Sequence, residues 1–123
     1  MHTNAPDKYH DIRDAVRALC AEFPDEYFRK TDAERAYPEA FVDALTKAGW
    51  MAALIPQEYG GSGLGLAEAS VIMEEINRCG GNAGACHGQM YNMGTLLRHG
   101  SPEQKQRYLP KIASGEWRLQ SMG

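Results

Sequence analysis

The sequence predicts an all-α fold of five or six helices. Apolar residues recur at spacings of three and four in several separate stretches, and proline and glycine punctuate those stretches. Period-two alternation occurs in one place only, near the end of the chain. With 123 residues the chain has room for one core and not for a second complete domain, since domains most often run to about 100–150 residues.

The first helical pattern follows Asp7, where Ile12, Val16, Leu19 and Phe23 form an apolar stripe and Lys8, Asp11, Arg13, Asp14 and Arg17 fill the other faces. Pro24 ends it. The polar stretch 25–35 reads as a short second helix or an irregular connection. Pro38 then takes a first helical position, Phe41, Leu45 and Ala48 form a stripe, and Gly49 stops the helix. Residues 50–55 are apolar and bounded by Pro56, so they form either a buried extended crossing or a short turn packed on the core. The glycine-rich stretch from Gln57 to Gly65 is a loop.

A further helix carries Leu66, Ala69, Met73 and Ile76 on its apolar face and Glu68, Glu74, Glu75 and Arg78 on the other, and it ends at Gly80-Gly81. Another runs from about Asn82 to His99. The last opens with Ser101, Pro102, Glu103 and Gln104, which make a capping box with proline at N1, and it ends near Gly115. From Trp117 to Met122, Trp, Leu and Ser alternate with Arg, Gln and Met as at the beginning of a strand. The chain stops there without a polar tail, which reads as a cut at a domain boundary.

Composition narrows the function classes. The net charge of −3 arises from 13 basic and 16 acidic residues interleaved along the chain, with no basic run for a nucleic-acid backbone or an anionic membrane. The longest uninterrupted apolar stretch is far too short to span a bilayer, and the N-terminus lacks an apolar signal core. Cys20, Cys79 and Cys86 are odd in number and lack CxxC spacing, so they read as buried small hydrophobes in a reducing compartment. The expected location is the cytoplasm.

Most candidate chemistries fail on spacing. The glycine loop does not satisfy GxGxxG, because position 66 is Leu, and no Gly-Lys-Ser/Thr follows it. Glu74 and Glu75 are sequence neighbours pointing about 100° apart and read as a solvated face. Cys79, Cys86, His87 and His99 match no zinc pattern. Cys86 beside His87 is no dyad, because adjacent helical residues diverge.

The stretch from Cys79 to Leu97 contains no Asp, Glu, Lys or Arg, which predicts a helix buried nearly all round. Cys86, Met90, Met93 and Leu97 form a core stripe. Gly84, Gly88, Tyr91 and Thr95 repeat the same spacing on another face. An interior glycine costs a helix about 1 kcal/mol relative to Ala, so Gly84 and Gly88 imply close approach by another body. That body is either a tightly packed helix or an elongated apolar ligand with Tyr91 and Thr95 at its wall.

Two segments carry a family resemblance. Leu54-Ile55-Pro56-Gln57-Glu58-Tyr59-Gly60-Gly61-Ser62-Gly63-Leu64-Gly65 resembles the P-x-x-Y/F-G-G-x-G segment of acyl-CoA dehydrogenases. Leu97 to Lys105 together with Tyr108 to Glu116 is similar to that family's G-x-x-x-Q-K-x-x-Y-L-P-x-L-x-x-G stretch. The resemblance implies an N-terminal helical domain over residues 1–116, an orthogonal, open bundle, with residues 117–123 starting a central β domain that lies beyond the chain. It also implies a flavoprotein, active on acyl-CoA thioesters and assembled as a homotetramer. There a Glu carboxylate removes the α-proton while the β-hydride passes to FAD.

The catalytic Glu and most flavin contacts belong to the family's later domains, so the chain alone is expected to be inactive. The resemblance assigns Gly88, Met90, Tyr91, Gly94 and Thr95 to the acyl-chain pocket and places Met122 near the flavin. The competing expectation, from a different class, is a free-standing helical interaction module without enzymatic activity.

Overall fold

The computed structural model describes residues 8–119. Its helices are α1 (His10–Cys20), α2 (Asp25–Ala33), α3 (Glu39–Lys47), α4 (Leu66–Arg78), α5 (Gly84–His99) and α6 (Pro102–Ala113), with single 3₁₀ turns at Trp50–Ala52 and Gln57–Tyr59. No strand occurs among the described residues. Residues 117–119 are irregular, and Met122, with the rest of the expected strand start, lies outside the described residues.

The punctuation acts close to where the sequence places it. The stretch 25–35 holds a true helix, α2, which buries no residue completely. An edge-to-face cluster of Phe23, Tyr27, Phe28 and Phe41 anchors it. Phe23 reaches that cluster from the turn beyond α1, not from the helix itself. Pro38 is the N-cap of α3, one position earlier than expected, and the buried stripe is Phe41, Val42 and Leu45. Ala48, expected in it, is the exposed C-cap residue. Gly49 follows in the left-handed region at φ 88°, where a side chain would be strained. Of the two readings of residues 50–55 the structure takes the packed turn, burying Met51, Ala52, Ala53 and Ile55.

The glycine loop folds back on that turn. Ser62, Gly63 and Leu64 donate their amides to the carbonyls of Ala52, Ile55 and Ala53 at 3.2, 2.9 and 2.8 Å, and Gly61 donates to Pro56 at 3.2 Å. Those amides, the groups a phosphate would need, are committed to the chain's own backbone. A Cβ at Gly61 would fall 2.1 Å from the Ile55 carbonyl oxygen, so this residue is glycine because another strand of backbone passes against it. The capping box of α6 forms as expected: Ser101 Oγ accepts from the Gln104 amide at 3.1 Å, and Gln104 Oε1 accepts from the Ser101 amide at 2.9 Å.

The core has two parts. Val16, Cys20, Phe41, Val42, Leu45, Ile72, Ile76, Cys86 and Met90 join α1, α3, α4 and α5, whereas Ala52, Ile55, Met93, Leu109 and Ile112 join α5 to α6. Helix α5 therefore belongs to both and holds the halves together.

Helices α1 and α4 run parallel: Arg13 pairs with Glu74 and Glu75, Arg17 with Glu75, and Cys20 approaches Cys79 one turn further along. Two expectations for α4 are corrected here. Glu75 is not on a solvated face; it is fully buried, with Arg17 Nε donating to it at 2.7 Å and Arg13 Nη1 at 3.0 Å. Leu66, expected on the buried stripe, is 74% exposed, because the helix begins at its edge and turns Val71 and Ile72 inward instead.

Candidate functional site

Helix α5 carries no Asp, Glu, Lys or Arg before Arg98, but it is not buried all round. Cys86, Gln89, Met90 and Met93 are buried, while His87, Tyr91 and Thr95 stand in solvent and Gly88 and Gly94 are half-buried between the faces. The charge-free sequence reflects an outer face without charge, not a neighbour in this chain.

The two glycines raised by the sequence have different causes. Gly84 is the first residue of α5, not an interior one, and its amide donates to Asn82 Oδ1 at 2.7 Å. A Cβ there would meet that oxygen at 2.9 Å, so a local cap accounts for the glycine. A Cβ at Gly88, or at Gly94, would meet nothing within 4 Å. No helix of the described chain packs into their groove, which removes the packed-helix reading of Gly88.

Four of the five expected pocket residues come together. Met90, Tyr91, Gly94 and Thr95 line one groove of about 250 Å³ with Leu54, Leu66, Arg98 and His99. Its walls are apolar along Leu54, Leu66 and Met90, and Arg98 with His99 gives it one basic rim. The Thr95 hydroxyl donates to the Tyr91 carbonyl at 3.2 Å, and the Tyr91 ring lies 5.1 Å from that of His87.

Gly88 separates from this group. It lines a second depression of about 400 Å³ with Tyr37, Met51, Gly84, Ala85, Gln89, Arg118 and Leu119. There Gln89, fully buried, accepts from the Leu119 amide at 2.7 Å and holds the C-terminal segment against α5.

Sequence reasoning missed Leu54, Leu66, Arg98, His99 and Gln89. A signal for two of them was present, since Arg98 and His99 follow Thr95 at three and four residues and so share its face. Leu54 and Leu66 are distant in sequence and reach the groove only through the fold.

Neither groove contains an obvious acid–base pair. Burial pushes the Cys86 thiol up to about 12, which makes it an inert core group. Among the described residues no three His, Cys, Asp or Glu side chains are grouped to hold a metal ion, and no helix is long and apolar enough to cross a membrane.

Comparison with known proteins supplies the family. The model of the acyl-CoA dehydrogenase N-terminal domain matches residues 6–116. The chain belongs to the acyl-CoA dehydrogenase family. It is 51% identical over 63 residues to the mitochondrial isovaleryl-CoA dehydrogenase of Oryza sativa subsp. japonica, covering 50% of this chain and 15% of that protein. It is 32% identical over 111 residues to a probable acyl-CoA dehydrogenase of Mycobacterium bovis, covering 89% of this chain and 28% of that protein.

Among solved structures, the glutaryl-coenzyme A dehydrogenase glutaryl-CoA complex superposes with a TM-score of 0.78 at 26% identity, covering 97% of this chain and 31% of that one. The chain thus spans less than a third of each of these relatives. The all-helical architecture expected from the sequence is that of the family's N-terminal domain.

Proposed function

We propose that this chain serves as the N-terminal helical domain of an FAD-dependent acyl-CoA dehydrogenase and supplies one wall of its acyl-chain pocket. The observation that carries the reading is the open side of α5. The interior glycine Gly94 keeps a space that nothing in the described chain fills, at a cost of about 1 kcal/mol of helix propensity. Beside that space Met90, Tyr91, Gly94 and Thr95 line a groove with apolar walls, suited to a hydrocarbon chain. The glutaryl-CoA complex of the structural relative fits a thioester substrate of this class.

In this reading the chain binds and orients; it does not abstract the α-proton, and that carboxylate comes from a later domain. FAD would accept the hydride. Met122, the residue expected against the flavin, lies outside the described residues, so no step is assigned to this chain's contact with it. Residues 117–123 lead into the β domain, and the assembly is a homotetramer of the three-domain protein in the cytoplasm, a location that three unpaired thiols suit.

The test is steady-state turnover of an acyl-CoA series by the protein carrying this domain, with a Gly94→Leu variant in the groove. A Cβ at Gly94 meets nothing within 4 Å, so the folding midpoint should stay within a few degrees of the parent. Meanwhile kcat/KM should fall roughly tenfold or more for acyl chains long enough to reach α5. Loss of folding and activity in equal measure, or unchanged turnover across the series, rejects the pocket assignment.

A further inference from the structure

We propose that Cys20 and Cys79 form a redox-sensitive thiol pair that closes to a disulfide between α1 and α4 when the protein meets a peroxide. Cys20 is the last residue of α1, and Cys79 directly follows α4. Because the two helices run parallel, their C-terminal ends meet and bring together residues far apart in sequence. Both sulfurs line one crevice of about 330 Å³, with Arg17, Phe23, Pro24 and Arg78 among its walls. Cys79 packs against the buried cluster that contains Cys20, and the Cys79 thiol donates to the Ile76 carbonyl at 3.0 Å. All three cysteines are unpaired thiols in this structure.

The surroundings give the two sulfurs different roles. Cys79 is half-buried and the more accessible, whereas Cys20 is buried. Burial first, and the neighbouring Cys79 second, pushes the Cys20 thiol up to about 12, so Cys20 does not initiate attack as a thiolate. Cys79, as thiolate, attacks one oxygen of hydrogen peroxide; the O–O bond breaks, hydroxide leaves and Cys79 becomes a sulfenic acid. The Cys20 sulfur then attacks the sulfenyl sulfur, loses its proton, and displaces water. Two thiols and one peroxide give one disulfide and two waters, with both sulfurs oxidised and the peroxide reduced. Cys86, buried and outside that crevice, is the internal control.

The link would close a loop from the end of α1 to the end of α4 and staple the ion-paired helices beside the Gly80-Gly81 turn that leads into α5. A disulfide of this kind in a reducing compartment is typically transient. The inference is independent of the acyl-pocket reading.

The experiment treats the folded chain with hydrogen peroxide, alkylates the remaining thiols, digests the protein and analyses the peptides by mass spectrometry. The expected product has lost about 2 Da before alkylation, joins the peptides of Cys20 and Cys79, and carries alkyl on Cys86. The Cys86→Ser protein should give the same link. Its unfolding midpoint, like that of the parent, should rise by several degrees on oxidation, with no rise in Cys79→Ser. Alkylation of all three thiols, at a peroxide dose that oxidises a free cysteine control, overturns the proposal. So does Cys79 sulfinic acid beside an alkylated Cys20, or a link between two chains.

Discussion

The carboxylate of Glu75 sits fully out of solvent at the centre of an ion-pair network with Arg13 and Arg17. Hydrogen bonding from Arg17, ahead of that from Arg13, outweighs burial and holds its carboxyl below the usual range. The folded pKa is therefore lower than the unfolded one, about 4.3. The stabilisation is fully present above that value and lost as pH falls through the folded pKa. Arg17 remains 48% exposed, so Glu75→Gln should cost about 2 kcal/mol at neutral pH, between an exposed pair and a fully buried one. Urea unfolding of the parent and the variant should converge as pH falls through the folded pKa of Glu75; a constant gap from neutral to strongly acidic pH would show that the charge is not the cause. Gly88→Ala should behave oppositely. Its Cβ meets nothing within 4 Å, so it should stabilise the chain by up to about 1 kcal/mol through helix propensity alone, as read by thermal melting.

At the scale of elements, the glycine loop is held by backbone contact and should be intolerant where α5 is permissive. Gly61→Ala would put a Cβ 2.1 Å from the Ile55 oxygen and 2.4 Å from its Cβ. Both the turn at 50–55 and the loop would have to shift, and a loss of more than about 3 kcal/mol is expected; a melting temperature unchanged by this substitution would contradict the packing described. The loop also shows what a sequence makes legible. Helix edges set by local rules, such as the Ser101–Gln104 box and the Gly49 stop, are written in adjacent residues and were readable to within one or two positions. Glu75 was misread because its partners lie 58 and 62 residues away, and period alone assigns an isolated carboxylate to solvent. The family resemblance grouped Met90, Tyr91, Gly94 and Thr95, and one helix presents them to a single groove; Leu54 and Leu66 complete that groove from other elements. Gly88 shares the helix but looks into the depression closed by Gln89 and Leu119, a division decided by where the chain passes after α6.

For the molecule as a whole, the open side of α5 is part of a larger imbalance. Leu66 and Tyr91 stand 74% and 43% exposed beside one groove, and Tyr37 and Trp117 are 49% and 39% exposed elsewhere. Large side chains exposed beside apolar grooves mark surfaces that other protein or ligand normally covers. In solution without such cover, these 123 residues should self-associate as concentration rises, with like faces pairing through the Leu66–Tyr91 groove. Sedimentation velocity across about a tenfold concentration range should show the weight-average coefficient climbing. Leu66→Lys with Tyr91→Lys should hold it at the monomer value, because both residues already face water and like charges would then oppose each other across any pairing. Such substitutions should leave the melting temperature nearly unchanged, since neither side chain belongs to the buried clusters. A parent chain that sediments as a monomer throughout would mean that this face is stable in water, and would remove the argument that α5 is built to be covered.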